Sequence, residues 1–373
     1  MSRSVAASPT LGLAAFALVL ALGSCERSPL LRIGVIAYEY EADHNIEGFS
    51  TDKASRLAAR EINAGGRIRV ELETVMVDDA PESSVSAVSL LANRRGAAVI
   101  VGPSMSRQAI AAGAAAERAR IPLISSVSSN PDTTRERRYV FRMCYLDPVQ
   151  ARSQARFALE RFAPRSASLI WYESDPSSST QAAVIAQEMR AGGRPLRATL
   201  AISPDDPDWE GKIEALGTRK DELLFLPTDS DFAAKAGRSA RGAGFKGVLV
   251  GGDGWDRESM KGNPDFEGAY MTTNYWSGQA SPGNVAFVAA YTAYAGRQPG
   301  DTAALTYDAV GMLASVALRL GTSDSESLRA GLADGSVYRG VAGAIRYAGS
   351  GDPEREVVFL RFSGGRVEFG GSK

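Results

Sequence analysis

The stretch Ala97–Ser125, AAVIVGPSMSRQAIAAGAAAERARIPLIS, decides the fold class. Its first residues, Ala97–Val101, form a short apolar run of the kind that makes a buried strand. Ser106–Ala119 is rich in alanine and has the length of a helix, and Pro122–Ser125 is a second short apolar run. A strand, a helix and a strand in this order predict a βαβ unit, whose two strands are parallel members of one sheet.

The same alternation continues on both sides of this unit. Before it, the sequence predicts strands at Arg32–Ile36 and Val70–Val77 and helices at Thr51–Ile62 and Ser83–Arg94. After it, the pattern restarts near Asp147, with helices predicted at Gln150–Phe162, Thr180–Ala191, Trp209–Leu216 and Asp231–Ala243, and strands at Ser168–Tyr172, Leu200–Ile202, Leu223–Leu226 and Val248–Val250. We therefore predict an α/β fold of two doubly wound lobes, each with a parallel sheet covered by helices on both faces.

The C-terminal part is not expected to form a third lobe. Two long helices are predicted at Pro282–Ala295 and Ala303–Leu320, and a terminal hairpin joins Val357–Phe362 to Val367–Phe369. These elements should pack onto the existing sheets, so the chain should cross between the lobes near residues 147, 275 and 350. Predicted lobe I is 31–147 with about 277–350, and lobe II is 148–276 with about 351–373, joined by a three-crossing hinge.

The composition excludes several classes of protein. The chain has 373 residues, 44% of them hydrophobic and 23% charged, so it can bury a sizeable core. A formal net charge of −1 does not favour nucleic acid as a partner. One histidine, His44, and two cysteines, Cys25 and Cys144, cannot supply an HExxH or four-cysteine zinc site, and no P-loop, GxSxG or dinucleotide motif occurs. We expect no enzyme activity, metal or cofactor, and we expect His44 to be a surface residue.

The N-terminus has the pattern of an export signal. The apolar run Leu11–Gly23 is too short to span the ~30 Å hydrocarbon core of a membrane as a helix, and it suits a signal peptide. It leads into Leu22-Gly-Ser-Cys25, which resembles the bacterial lipobox. We predict a signal peptide over residues 1–24 and lipidation of Cys25, which would anchor the protein to a membrane of the periplasm or cell envelope. The alternative is an ordinary secretory signal in which Cys25 is incidental.

Several segments match, in order along the chain, the motifs of one family of ligand-binding proteins. They are Glu61-Ile-Asn-Ala-Gly-Gly66, Val77-Asp-Asp-Ala80, Val101-Gly-Pro-Ser-Met-Ser106, Ile124-Ser-Ser-Val-Ser-Ser-Asn-Pro131, Tyr139-Val-Phe-Arg142, Gly251-Gly-Asp-Gly254 and Thr306-Tyr-Asp-Ala-Val310. On these motifs the chain resembles the leucine/isoleucine/valine-binding branch of the type I periplasmic binding proteins, the soluble receptors of ABC importers. The resemblance implies a receptor that holds a small-molecule ligand and delivers it to an ABC permease.

The predicted ligand site lies at the carboxyl ends of the strands, where open α/β sheets bind ligands. There Ser104 and Ser106 precede a helix whose N-terminal N–H groups favour a ligand carboxylate, and Ser129 follows the next strand on the same rim. The family resemblance implies Ser106 and the Ser129 hydroxyl for the ligand carboxylate, the Val127 carbonyl nearby, and Asp253 for the ligand amino group. Helix capping and turn formation explain the serines equally well, and a surface turn is the alternative for Asp253.

The departures from the family pattern concern the walls around the rest of the ligand. Glu47 and Asp229 stand near positions where the branched-chain receptors have tyrosines, and Pro176-Ser177 replaces a Tyr-Gly pair. Aromatic candidates for the wall are Tyr172, Trp171, Tyr275 and Trp276. Fewer aromatic and more acidic walls should favour an amide, a polyamine-like compound or a basic amino acid over an aliphatic one. We expect a monomer, and a cell-envelope sensor or regulator that does not transport is the alternative function.

Overall fold

Two sheets organise the protein. The computed structural model describes Met1 and residues 29–39, 46–255 and 260–372. Residues 2–24 of the predicted signal peptide, Cys25 and His44 lie outside these residues. Within the described chain, each sheet is built from parallel strands joined by helices, so the two sheets form the cores of two α/β lobes.

The first sheet is wholly parallel. Its strands are β1 (Leu30–Tyr38), β2 (Arg69–Val77), β3 (Val99–Val101), β4 (Leu123–Ser125) and β5 (Val140–Arg142), and the helices between them are α1 (Ile46–Ala64), α2 (Pro81–Asn93) and α3 (Ser106–Ala119). The strand order is β2-β1-β3-β4-β5. Every residue of β3, β4 and β5 is buried, which explains why these short strands are mostly apolar rather than alternating between apolar and polar residues.

The second sheet repeats this order. Its parallel strands are β6 (Ala167–Tyr172), β7 (Ala198–Ile202), β8 (Leu223–Leu226), β9 (Val248–Gly251) and β10 (Tyr270–Thr273), and its helices are α4 (Asp147–Arg161), α5 (Pro176–Ala191), α6 (Trp209–Leu216) and α7 (Ser230–Gly242). These strands are arranged as β7-β6-β8-β9-β10. In each sheet the second strand along the chain lies on one side of the first strand, and the later strands lie on its other side. The switch points are therefore between β1 and β3 and between β6 and β8, and each opens a crevice at the carboxyl ends of the strands.

The chain after β10 returns to the first sheet. It forms α8 (Pro282–Ala295), α9 (Asp301–Leu320) and α10 (Ser325–Leu332), then a small antiparallel sheet of β11 (Tyr338–Gly340), β12 (Gly343–Tyr347) and β13 (Pro353–Glu354). Within the described ranges, α9 is the one helix with the length and apolar character of a membrane span. It packs against α1 and the first sheet, so its apolar character has an explanation in the core.

Asp308 in α9 fastens the small sheet to this core. Its carboxylate accepts hydrogen bonds from the backbone N–H groups of Val341 and Ala342, each at 2.8 Å. Gly340 is needed beside it, because a Cβ at that position would overlap the Asp308 carboxyl group. Burial raises the pKa of Asp308 to about 6. The Thr306-Tyr-Asp-Ala-Val310 motif therefore has a structural role in this lobe.

The last two strands return to the second sheet. β14 (Val358–Ser363) pairs antiparallel with β10, and β15 (Arg366–Ser372) pairs antiparallel with β14. The hairpin turns at Gly364 and Gly365, whose φ angles of 56° and 70° favour glycine. The second sheet is therefore mixed, with an antiparallel edge on a parallel core.

The connections between the sheets converge on one side chain. They follow β5, follow β10 and precede β14, and we name this group of connections the hinge. The Arg355 guanidinium donates to the carbonyl oxygens of Met143 and Asn274, both at 2.6 Å, and of Ala342 at 3.1 Å. Met143 follows β5, Asn274 follows β10 and Arg355 itself precedes β14. One partly buried cation thus holds the three connections together.

Candidate ligand-binding site

A cavity of about 1180 Å³ lies between the carboxyl ends of the strands of the two sheets. Its walls come from the loops after β3, β4, β6, β8, β9 and β10, from the first turns of α1 and α9 and from the beginning of β15. Side chains in these walls include Glu47, Met105, Val127, Ser129, Asp175, Ser177, Gln181, Asp229, Asp253, Asn274, Trp276 and Asp301. We name this cavity the cleft.

Among the described residues, five carboxylate side chains line the cleft, and four of them stand at the beginnings of helices. Asp175 caps α5 and Asp229 caps α7, each by accepting hydrogen bonds from backbone N–H groups of the first turn. Glu47 lies in the first turn of α1, and Asp301 is the first residue of α9. Negative side chains at these positions offset the positive ends of the helix dipoles. The fifth, Asp253, follows β9 and has a different environment.

Two amide side chains hold the Asp253 carboxyl group. Gln150 Nε2 donates to Oδ1 at 2.8 Å, and Asn274 Nδ2 donates to Oδ2 at 3.0 Å. The Asp253 N–H in turn donates to Gln150 Oε1 at 2.9 Å. Burial and the nearby charge of Asp147 raise the pKa of Asp253 to about 7, against the Gln150 hydrogen bond, which lowers it. The group is therefore fixed in orientation, and a cation beside it would favour its charged form.

Two glycines allow the loop after β9 to pack this closely. A Cβ on Gly251 would overlap the Trp255 ring, and a Cβ on Gly252 would lie 2.6 Å from Gln150 Oε1. Neither glycine has a positive φ, so the requirement is for space rather than for backbone conformation. The Gly251-Gly-Asp-Gly254 motif thus builds the position of Asp253.

On the opposite rim, Arg142 holds the loop Val127–Ser129. The Arg142 side chain is fully buried, donates to the carbonyl oxygen of Ser128 and forms an ion pair with Asp352 at 2.8 Å. A buried guanidinium needs such partners, because an unpaired charge in a protein interior is costly. The Tyr139-Val-Phe-Arg142 motif therefore positions the rim that carries Val127 and Ser129.

Comparisons with known proteins identify the family. Residues 31–366 match the family model described as periplasmic binding protein. This chain belongs to the periplasmic binding protein family. The leucine-specific-binding proteins of Salmonella typhimurium and Salmonella typhi are each 26% identical to this periplasmic binding protein over 271 residues, which cover 71% of this chain and 73% of the relative.

Solved structures of similar proteins match almost the whole chain. The leucine-binding protein of Thermotoga maritima has a TM-score of 0.78 at 23% identity, covering 92% of this chain and 98% of its own. A branched-chain amino acid transporter substrate-binding protein of Streptococcus pneumoniae, in complex with isoleucine, has a TM-score of 0.77 at 23% identity, covering 92% and 99%. A solute-binding protein of an R. palustris ABC transporter, in complex with benzoate, has a TM-score of 0.74 at 20% identity, covering 92% and 96%. The predicted type I fold and the predicted resemblance to the branched-chain receptors are both confirmed.

Five of the site residues predicted for this periplasmic binding protein line the cleft: Glu47, Val127, Ser129, Asp229 and Asp253. The fold brings them together from both lobes, since the first three belong to the first sheet's loops and helices and the last two to the second's. Their contact with a ligand stays a prediction.

Three other predicted site residues stand outside the cleft lining. Ser104 is buried, and its hydroxyl has no hydrogen-bond partner within the described ranges. Ser106 begins α3, and its hydroxyl accepts a hydrogen bond from the Ser128 hydroxyl at 3.1 Å. Tyr172 stacks on Phe232 with ring centroids 5.6 Å apart, against the core of the second lobe. A position at or just after the end of a strand therefore does not by itself predict that a side chain lines the cleft.

Glu47 is fastened to the neighbouring helix. Helix α1 begins at Ile46, earlier than the predicted start at Thr51, so Glu47 is helical. The Thr302 hydroxyl, in the first turn of α9, donates to its carboxylate. Burial raises the pKa of Glu47 and the charge of Asp301 adds to this, while the Thr302 hydrogen bond lowers it.

Sequence reasoning missed the polar residues around Asp253. Gln150 and Gln181 lie on α4 and α5, Asp147 begins α4, and Asn274 follows β10. The sequence does contain a signal for Gln150 and Gln181. Each is a polar residue on the apolar face of a predicted helix, and that face packs onto the sheet. Among the aromatic candidates, Trp276 lines the cleft, where its ring stacks on Phe369 at 5.7 Å between centroids.

Proposed function

We propose that this protein is an extracytoplasmic receptor that closes on a small solute carrying an amino group and delivers it to an ABC importer. The observation that carries the proposal is the Asp253 carboxyl group, which two amides orient in the wall of the cleft. An ammonium group placed there would gain a charge-assisted hydrogen bond and hold the carboxylate in its charged form. Closure about the hinge would enclose such a ligand between the two rims.

The rest of the cleft favours an amino acid, an amide or a related compound. Ser129 in the wall opposite Asp253 carries a hydroxyl that can donate to a ligand carboxylate. Several of the named relatives bind leucine or isoleucine, which carry both an ammonium and a carboxylate, whereas the R. palustris relative binds benzoate, which has only the carboxylate. The additional acids Glu47 and Asp229 in the walls favour a polar or cationic ligand side chain over an aliphatic one.

Calorimetry on the purified protein tests the binding part of the proposal. The panel is L-leucine, L-isoleucine, L-glutamine, L-arginine and benzoate. We expect at least one amino acid to bind, L-glutamine or L-arginine more tightly than L-leucine, and benzoate to give no heat because it has no ammonium group. Failure of all four amino acids to bind would contradict the proposal.

Transport and anchoring are tested in cells. Deletion of the gene should reduce uptake of the radiolabelled amino acid that binds, whereas unchanged uptake would favour a sensor of the cell envelope. We propose lipidation at Cys25, so Cys25→Ser should move the protein from the membrane fraction to the soluble periplasmic fraction. A wild-type protein already found in the soluble fraction would contradict the anchor.

A further inference from the structure

Gln181 in α5 presents an unused hydrogen-bond acceptor at the cleft. The residue is 5% exposed and lines the cleft. Its Nε2 donates to the Ser177 hydroxyl at 3.2 Å and to the Asp147 carboxylate at 3.5 Å. Because a carboxylate oxygen accepts, the amide must turn its nitrogen to this side and its oxygen to the other. Gln181 Oε1 has no hydrogen-bond partner among the residues that the structure describes.

The unused oxygen lies beside the loop that carries Asp253. It is 3.3 Å from the point that a Cβ on Gly252 would occupy, and Gln150 Oε1 is 2.6 Å from the same point. Gly252 directly precedes Asp253, so both amides face one peptide. The two oxygens differ in use: Gln150 Oε1 accepts bonds from the Asp253 N–H and the Thr272 hydroxyl, and Gln181 Oε1 accepts none from the described chain.

A buried polar atom without a partner is uncommon in native proteins and needs an explanation. Here the cleft supplies one, because Gln181 belongs to its lining and a ligand that packs against this wall can provide the donor. The Gln181 amide oxygen and the charged form of Asp253 can only accept, so a group that bonds to both must bring hydrogen-bond donors, and an ammonium group brings several together with a positive charge.

We propose that Gln181 is a ligand-binding and specificity-determining residue, whose Oε1 accepts a hydrogen bond from a nitrogen of the solute beside Asp253. This inference rests on the proposed function, and it narrows the ligand to solutes with an N–H-bearing ammonium or amide group. A carboxylic acid without such a group would leave Gln181 Oε1 without a partner and the Asp253 carboxylate without a cation, so we expect it to bind much more weakly.

The test compares two variants and two ligands by calorimetry. Gln181→Met keeps the length of the side chain and removes the acceptor together with the Nε2 bonds to Ser177 and Asp147, so the second ligand is needed to separate the two losses. The ligands are the amino acid of the panel that binds most tightly and its deaminated analogue, which lacks only the α-amino group and whose weaker binding is measured by displacement of the amino acid. We expect Gln181→Met to weaken binding of the amino acid about tenfold, the effect of losing one hydrogen bond to a charged group. Binding of the deaminated analogue should change less than about twofold, because it has no α-nitrogen beside Asp253 for Gln181 to contact.

Gln108→Met is the matched control. Gln108 is also 5% exposed, lies in α3 outside the cleft lining, and donates to the Asp79 carbonyl at 2.6 Å. Its replacement should leave both affinities unchanged. If Gln181→Met does not fold, Gln181→Ala, which opens the same wall to water, is measured in its place.

The outcomes separate this inference from the proposed function. An amino acid that binds the wild-type protein and Gln181→Met equally well would overturn the role of Gln181 and leave the receptor function standing. An equal loss for the amino acid and its deaminated analogue would assign Gln181 a structural role and also overturn the inference. Failure of the wild-type protein to bind any amino acid of the panel would overturn the proposed function itself.

Discussion

The cleft has two rims, the first formed by loops of the first sheet and the second by loops of the second sheet. The two sheets share one strand order, but the first rim depends on a cation and the second rim carries an acid. On the first rim, a fully buried cation, Arg142, is paired with Asp352 and donates to the backbone of the rim loop. On the second rim, an acid, Asp253, is held by two neutral amides and has no cation among its described hydrogen-bond partners. The first rim is therefore complete without a ligand, whereas the second has a charge whose partner the ligand could supply. The same topology thus gives one rim a structural ion pair and the other an open position for a cation.

Removing the cation of the first rim should have the largest effect. Arg142→Met leaves the Ser128 carbonyl without this donor and the Asp352 carboxylate with the Thr134 hydroxyl but no cation, so we expect a loss of about 3–5 kcal/mol in the free energy of unfolding. Denaturant unfolding measures it. The exposed Arg138→Met, four residues earlier in the sequence, should change stability by less than about 0.5 kcal/mol. Equal stability of the two variants would show that the first rim does not depend on its ion pair.

Removing the acid of the second rim should instead affect binding. Asp253→Ala removes a charge-assisted contact to the ligand ammonium, and we expect a loss of about 2–3 kcal/mol in binding free energy. Calorimetry with the amino acid that binds the wild-type protein measures it. Asp231→Ala, an exposed acid of α7 outside the cleft lining, is the control and should bind normally. If Asp253→Ala binds as tightly as the control, the contrast between the rims has no functional meaning.

The protonation of Asp253 should make binding depend on pH. In the unliganded protein its pKa is raised to about 7, so the carboxyl group is mostly neutral at pH 6 and mostly charged at pH 8. An ammonium ligand binds the charged form and must release the proton at low pH, so affinity should be about tenfold weaker at pH 6 than at pH 8. Binding isotherms across this range measure the change. In Asp253→Asn the dependence should disappear, and a dependence that persists would assign it to another group.

Much of the fold was predictable because parallel strands buried on both faces are apolar runs. The helix at Ser106–Ala119 and the strand at Leu223–Leu226 have their predicted bounds. Strand β10 was missed, since Tyr270–Thr273 contains two threonines and carries no such run. Their hydroxyls are buried in hydrogen bonds, Thr272 with Gln150 and Thr273 with Asp301, and those contacts cannot be inferred from local sequence.

The site was predictable only where a motif marks it. Asp253 stands in a glycine-rich motif, and the family resemblance led to it. Gln150 and Gln181 could not be assigned, because their roles depend on contacts with residues far away in sequence, such as the 103 positions between Gln150 and Asp253. Ser106 shows that a motif does not determine what its side chain contacts. It belongs to a motif of the family, but its hydroxyl accepts a hydrogen bond from Ser128 and the residue does not line the cleft.

The acids at the beginnings of helices give the prediction with the smallest expected effect. It compares a carboxylate that caps a helix with the carboxylate of Asp253, which does not. Asp175 lines the cleft as Asp253 does, but its carboxylate accepts from the N–H groups of Ser177 at 3.2 Å and Ser178 at 2.9 Å, so it is already used by α5. Asp175→Ala should lower the free energy of unfolding by about 1 kcal/mol, and Asp175→Asn, which caps equally well, should not. Thermal unfolding measures both, and both variants should bind the ligand with wild-type affinity. If Asp175→Asn lost affinity at unchanged stability, a carboxylate that caps a helix would also contribute to ligand binding. The negative charge of the second rim, rather than the one carboxylate that caps no helix, would then attract the ligand.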